Sequence, residues 1–161
     1  MPDSVAEIEY KIYLEFKPDD ILTLNKLGMV LYRRNKLDEA IKTFTKIIEL
    51  DSKNADAYDG LGLISANKQD YLSAVEYYQK AIFHKPKDIW VHYHLGKSLE
   101  AIGRFMDAET AYETALNNYK QKFSNQSPAK NSKYTVEMIK TSLKNVQLKL
   151  SSLPEKNNED K

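Results

Sequence analysis

Three histidines, His84, His92 and His94, are the side chains best suited to hold a metal ion or to move a proton near neutral pH. Their spacing works against both. On a helix His92 and His94 lie two residues apart and point to different faces, so they do not form the i, i+4 pair of a helical metal site. The chain has no cysteine, which removes disulfides, thiolate ligands and thiol nucleophiles together. No glycine-rich phosphate loop, nucleophile elbow or close carboxylate pair in an apolar setting occurs, and the scattered Asp and Glu read as solvated helix faces. The pattern predicts no catalytic residue, no metal and no cofactor. Asn125-Gln126-Ser127 is a formal glycosylation sequon, read as a chance match because no secretion signal precedes it.

The elements that would position any functional side chain must therefore be held by packing alone. In 161 residues, 42% are apolar and 29% charged, enough for one domain or one short solenoid. With 24 basic and 23 acidic residues the formal net charge is +1, so no global field draws the chain to nucleic acid or to an anionic membrane. The same balance argues against a single-strand RNA surface built on the eleven tyrosines. The N-terminus, MPDSVAEIEYKIYLEF, has no basic n-region and no uninterrupted apolar h-region, and no run approaches the roughly 18 apolar residues of a spanning helix. The expectation is a cytoplasmic protein without a membrane partner.

One stretch orders the rest. Shifted by 34 residues either way, Ala55 to Asp88 falls onto related sequence, and four columns stay in phase: Leu27, Leu61 and Leu95; Gly28, Gly62 and Gly96; Ala40, Ala74 and Ala108; Phe44, Tyr78 and Tyr112. A period of this length marks helical repeats. Three units result, 21–54, 55–88 and 89–122, each a helical hairpin with a short polar break. Small residues at positions 8 and 20 are expected to bring two helix backbones close, with leucine at 7 and an aromatic at 24 filling the space beside them.

The flanks follow the same logic. Residues 5–18 match the second half of a unit, with Ala6, Tyr10, Tyr13 and Leu14 facing inward. Ser4 and Glu7 have the S-x-x-E spacing of a capping box, and Pro18-Asp19-Asp20 ends the helix and offers a cap to the next. At the hairpin breaks Asn35 and Gly103 suit a left-handed residue, whereas Gln69 does not, so the middle hairpin is expected to turn without one. Lys120 stands where the second unit has Pro86, which predicts that the helix runs on toward Phe123. Ser124 to Lys133 reads as a loop. A capping helix is expected over 133–150, its apolar face made by Tyr134, Met138, Ile139, Leu143, Val146 and Leu150. Residues 5–150 then form a single domain, and 151–161 a disordered tail.

These residues spell a pattern that resembles the tetratricopeptide-repeat family. The middle unit matches best, with Tyr58, Leu61, Gly62, Ala74, Tyr78, Ala81 and Pro86 on the family's positions 4, 7, 8, 20, 24, 27 and 32. The resemblance implies an all-α fold: a right-handed superhelical solenoid of antiparallel helix hairpins, here three full units, a preceding half unit and a C-terminal capping helix. It also implies a concave groove, lined by the first helix of each unit, that holds a peptide or a partner helix. Carried over by position, the partner-binding residues would be Leu22, Asn25, Met29, Tyr32 and Arg33, then Asp56, Asp59, Leu63 and Asn67, then Trp90, Tyr93, His94 and Lys97. Gly60 falls near the groove floor. His92 falls where the family often has tryptophan, which implies a packed, hydrogen-bonded histidine.

Within that surface Trp90 and Tyr93 are the large aromatics of the kind that form binding hot spots. The clamp by which chaperone adaptors of this family hold an acidic C-terminus would use Asn25, Met29, Gly60, Tyr93 and Lys97. Only Lys97 conforms, so that partner is not expected. A second departure lies in the half unit. Positions 22 and 26 are Lys42 and Lys46, Glu76 and Lys80, Thr110 and Thr114 in the full units, but Ile8 and Ile12 here. With Val5 they make an outward apolar stripe and suggest packing against a second copy, a homodimer, or against a segment outside this sequence. Two functions follow: a non-catalytic scaffold that binds a protein or peptide, or a self-assembling unit that oligomerises through the N-terminal or C-terminal helix.

Overall fold

A computed structural model describes residues 2–124 and 130–153, with backbone alone for 130–134. The described residues form eight helices: α1 (Asp3–Phe16), α2 (Ile21–Arg33), α3 (Leu37–Leu50), α4 (Ala55–Asn67), α5 (Tyr71–His84), α6 (Ile89–Ala101), α7 (Phe105–Phe123) and α8 (Lys130–Ser152). Each helix packs on the next, and α2 also meets α4, as α4 meets α6. The first helices of the three units thus make an inner layer, with α3, α5 and α7 outside it.

Two further columns of the 34-residue period fix where helices start and stop. Asp20, Asn54 and Asp88 each cap the following inner helix: their side chains accept from the backbone N–H of Thr23 at 2.9 Å, of Ala57 at 3.0 Å and of Trp90 and Val91 at 3.0 and 3.2 Å. Lys122 stands in that column next, no acceptor is present, and α7 runs on to Phe123 as its missing stop predicts. Every inner helix ends in one motif. The N–H groups of Lys36, Asp70 and Arg104 each reach back 2.9 Å to the carbonyls of Leu31, Ser65 and Leu99, and the residue before each is left-handed: Asn35 at φ 58°, Gln69 at 62° and Gly103 at 78°. The middle hairpin therefore does use a left-handed residue. The repeat geometry overrides glutamine's preference because the paired carbonyls at the helix end need those N–H groups.

The glycine column also works differently from expectation. A Cβ on Gly28 would lie 2.6 Å from the Phe44 ring, on Gly62 2.5 Å from Tyr78, and on Gly96 2.6 Å from Tyr112. Glycine at position 8 makes room for the aromatic at position 24 rather than for the alanine at 20. Gly60 repeats the device between units, since a Cβ there would lie 2.4 Å from Phe44. Those three rings are fully buried. Two apolar clusters result, one around Leu27, Leu31, Phe44 and Leu61 and the other around Tyr78, Leu95, Tyr112 and Tyr119.

The ends bring three corrections. α1 begins at Asp3 without a side-chain cap, so Ser4 and Glu7 form no capping box. Glu7 instead turns inward, buried, and meets Lys11 at 2.7 Å, Lys36 at 2.8 Å and the Arg34 guanidinium. Hydrogen bonds from Lys11 and Lys36 hold its carboxyl at about 2, against the opposing effect of burial. Tyr13, placed inward by the repeat, is exposed. Its partner would be the first helix of its own unit, and among the described helices α1 packs mainly on α2. Finally, α8 starts at Lys130, three residues before the expected 133, and runs to Ser152. Its first turn is polar, and apolar periodicity cannot mark such a turn. Ile139 and Val146 are fully buried against α7, which makes α8 the cap of the stack. Past Leu153 the expected tail lies outside the described residues.

Candidate functional site

The inner layer carries two adjacent hollows. The first, about 370 Å³, is bounded by Asn25, Met29 and Arg33 of α2, Asp56 and Asp59 of α4, and Tyr10 of α1. The second, about 380 Å³, lies between Tyr32, Leu63, Asn67, His94, Lys97 and Glu100, with Lys149 of α8 at its edge. Ten of the expected groove residues thus gather in two neighbouring sites. The His94 Nδ1 and Asp59 Oδ1 atoms, 3.8 Å apart, stand between the hollows.

Of the four buried side-chain atoms without a hydrogen-bond partner among the described residues, three gather at this floor. The Asn25 Oδ1, Asp59 Oδ1 and His94 Nδ1 atoms are buried and have no hydrogen-bond partner among the described residues. They come from the same face of three successive inner helices. A buried polar atom without a partner costs about 1–3 kcal/mol, a cost that a bound donor or acceptor removes. Around the floor the charges are mostly tied: Arg33 to Asp3 at 2.7 Å, and Asp56 to Lys85 at 3.1 Å. Glu100 binds Lys149 at 2.6 Å and accepts from the Tyr112 hydroxyl at 3.0 Å. Although burial opposes it, those two hydrogen bonds hold the Glu100 carboxyl below its ordinary range. Burial, aided by the Asp59 charge, pushes the Tyr78 hydroxyl far up.

The remaining expected residues separate from this pair of hollows. Leu22 is exposed on α2 and borders neither. Tyr93 is half-buried within a ring cluster, its centroid 5.8 Å from His94, 6.1 Å from Trp90 and 5.7 Å from Tyr112. It is part of the wall rather than a free anchor. Trp90, 44% exposed, stacks on His94 at 6.1 Å but borders a different cleft. On α1, Val5, Ile8 and Ile12 are exposed, joined by Tyr13 and by Phe16 at 80%. His92 is buried with Nε2 2.8 Å from the Pro86 carbonyl. Two contributors escaped the sequence: Tyr10, whose place in the aromatic column could have flagged it, and Lys149, which no local signal marks because only the fold-back of α8 brings it to the groove.

Among the described residues no group of three His, Asp or Glu side chains could hold a metal ion, and no helix is long and apolar enough to cross a membrane. The fold and the hollows define a class: a right-handed helical-repeat solenoid whose inner layer forms a concave surface. The tetratricopeptide-repeat descriptions match residues 25–89 and 90–121, and the chain belongs to the tetratricopeptide-repeat family. It is 29% identical over 118 residues to an uncharacterized protein, ycf37, of Cyanophora paradoxa, covering 70% of this chain and 66% of that one. A type III secretion complex from Aeromonas hydrophila superposes with a TM-score of 0.73 at 21% identity, over 84% of this chain and 85% of that one. PcrH, in complex with the chaperone-binding region of PopD, gives 0.71 at 20%, over 83% and 95%.

Proposed function

We propose that this protein is a non-catalytic interaction scaffold whose inner-layer groove takes a peptide or a partner helix. The observation that carries the reading is the row of unpartnered buried atoms, Asn25 Oδ1, Asp59 Oδ1 and His94 Nδ1, across two joined hollows. Met29, Tyr32 and Leu63 supply the apolar contacts, and Lys97 with Asp59 sets the direction of the bound chain. That PcrH holds a segment of PopD on a similar fold supports the reading by analogy. An acidic C-terminus held by a carboxylate clamp is not proposed: Met29 and Tyr93 lack the charge, and Gly60 has its side packed against Phe44. The test is affinity capture on the intact chain, identification of the retained segment, and titration of that segment as a synthetic peptide. Leu63→Glu should weaken the peptide at least about tenfold, while Phe83→Glu, on the exposed outer helix α5, should not. Equal loss from both variants, or from neither, would remove the groove from consideration.

A specific observation favours self-association as a second reading. Five large apolar side chains of α1, from Val5 to Phe16, are exposed together, and soluble monomers rarely display a contiguous apolar patch beyond a few hundred Å². A second copy packed there would cover it. Sedimentation across a concentration series should show a dimer that Ile8→Lys with Ile12→Lys converts to monomer; a chain monomeric at all concentrations would rule this out.

A further inference from the structure

A further cleft among the described residues lies outside the groove. It measures about 740 Å³, roughly twice either hollow of the inner layer, and sits where the α5–α6 turn meets the C-terminal end of α7 and the start of α8. Its floor is apolar: Ile89 and Trp90 from the first turn of α6, and Tyr119 and Phe123 from α7, whose rings lie 4.6 Å apart. Its charged lining is Lys85, Lys87 and Lys122 against Asp88 alone.

The charges there are not equally free. Asp88 is occupied, capping α6 and pairing with Lys85 at 3.2 Å, and Lys85 is shared with Asp56. Lys87 and Lys122 form no ion pair among the described residues; Lys122 only lies 5.7 Å from the Phe123 ring centroid. Two uncommitted cations therefore face an apolar floor. A second, independent feature points the same way. Tyr119 is 8% exposed, and its hydroxyl is buried without a hydrogen-bond partner among the described residues. It is an unpartnered donor in a wall that also carries the polar side chains of Asn118, Gln121 and Thr135.

We propose that this cleft is a binding site for a small apolar carboxylate, its hydrocarbon body lying on Ile89, Trp90, Tyr119 and Phe123 and its anionic end held by Lys87 and Lys122. The volume falls in the range of roughly 300–1,000 Å³ that takes small organic ligands. A charge-assisted hydrogen bond from an ammonium to a carboxylate is the strong polar contact such a site can make. A shift of the Tyr119 ring would let its hydroxyl add a donor. The site stands apart from the groove, so it does not depend on the reading given above.

The molecule carries its own reporter, because Trp90 is the only tryptophan in the chain. The full chain is titrated with decanoate below its micellar concentration, following Trp90 emission and, in parallel, heat by calorimetry. Decanol and decyltrimethylammonium serve as uncharged and cationic counterparts. Saturable one-to-one binding of decanoate is expected, about tenfold or more tighter than decanol, with no binding of the ammonium. Lys87→Ala with Lys122→Ala, both at exposed positions, should cost about tenfold or more, and Leu63→Glu in the groove should cost nothing. Tyr119→Phe should hold or raise the thermal midpoint, since it deletes an unpartnered hydroxyl, while weakening decanoate several-fold. Decanol binding as tightly as decanoate, full affinity in the double lysine variant, loss in Leu63→Glu, or silence in both emission and heat would each overturn the proposal.

Discussion

Glu7 shows how far one side chain can move a region. In the full units its column holds Ile41, Val75 and Glu109, and in the half unit the carboxylate draws Lys11, Arg34 and Lys36 onto the joint between α1 and the α2–α3 turn. Because its folded-state value, about 2, is depressed below the ordinary 4.5, its stabilisation is present above the ordinary value and is lost as pH falls from about 5 to 2. The three cations remain partly in water, so the net contribution is about 1–2 kcal/mol rather than that of a sealed pair. Glu7→Gln should lower the unfolding free energy from urea titration at pH 7 by that amount, and the difference from the parent chain should vanish near pH 2. A backbone effect can be isolated at the same scale. Nothing lies within 4 Å of a Cβ added at Gly103, so Gly103→Ala measures left-handed strain free of any clash, about 1 kcal/mol lost before the smaller freedom of unfolded alanine is counted. Gln69→Gly should move the other way, gaining about 0.5–1 kcal/mol once the larger freedom of unfolded glycine is subtracted. Thermal midpoints shifting in the same direction for both would contradict the shared turn geometry.

Elements at the two ends of the stack face opposite problems. α8 solves one: it covers the outer side of α7 with Ile139 and Val146, both fully buried, and ties back to α6 through Lys149 and Glu100. Ile139→Ala should cost about 2–5 kcal/mol in denaturant unfolding, the range for a large core residue truncated to alanine. A loss below about 0.5 kcal/mol would mean that α8 rests on the stack without stabilising it. α1 leaves the other problem open. Where an inner helix of its own unit would lie, it exposes Tyr13, and on its outward face it shows Ile8 at 59% exposure. The stripe was legible in Ile8 and Ile12 because their columns are polar elsewhere. Tyr13 was misplaced because periodicity assigns a residue to a face without knowing whether that face has a partner.

For the whole molecule, the sequence by itself determined the architecture. A 34-residue period with leucine, glycine, alanine and aromatic columns permits one stacking of hairpins, since each helix can bury its apolar face only against its neighbours in the chain. Caps at Asp20, Asn54 and Asp88 and left-handed turns at 35, 69 and 103 lie in that period too; Asn54 and Asp88 were passed over as caps although both are strong N-cap residues, and Gln69 was missed because glutamine seldom takes a left-handed conformation. Much of the candidate groove was legible through the family resemblance, which implies that repeat positions 5, 9, 12 and 13 line the concave side. What only the tertiary structure decided was which of those side chains are free to act. Tyr93 is held among rings, Asp56 and Arg33 are ion-paired across helices, and one buried atom each of Asn25, Asp59 and His94 has no hydrogen-bond partner among the described residues. Trp90 opens onto a cleft shared with α7 and α8 rather than onto the two inner hollows. Those outcomes depend on contacts between residues about 20 to 50 positions apart, whose closure the chain pays for only once all the hairpins are stacked. No local spacing encodes them.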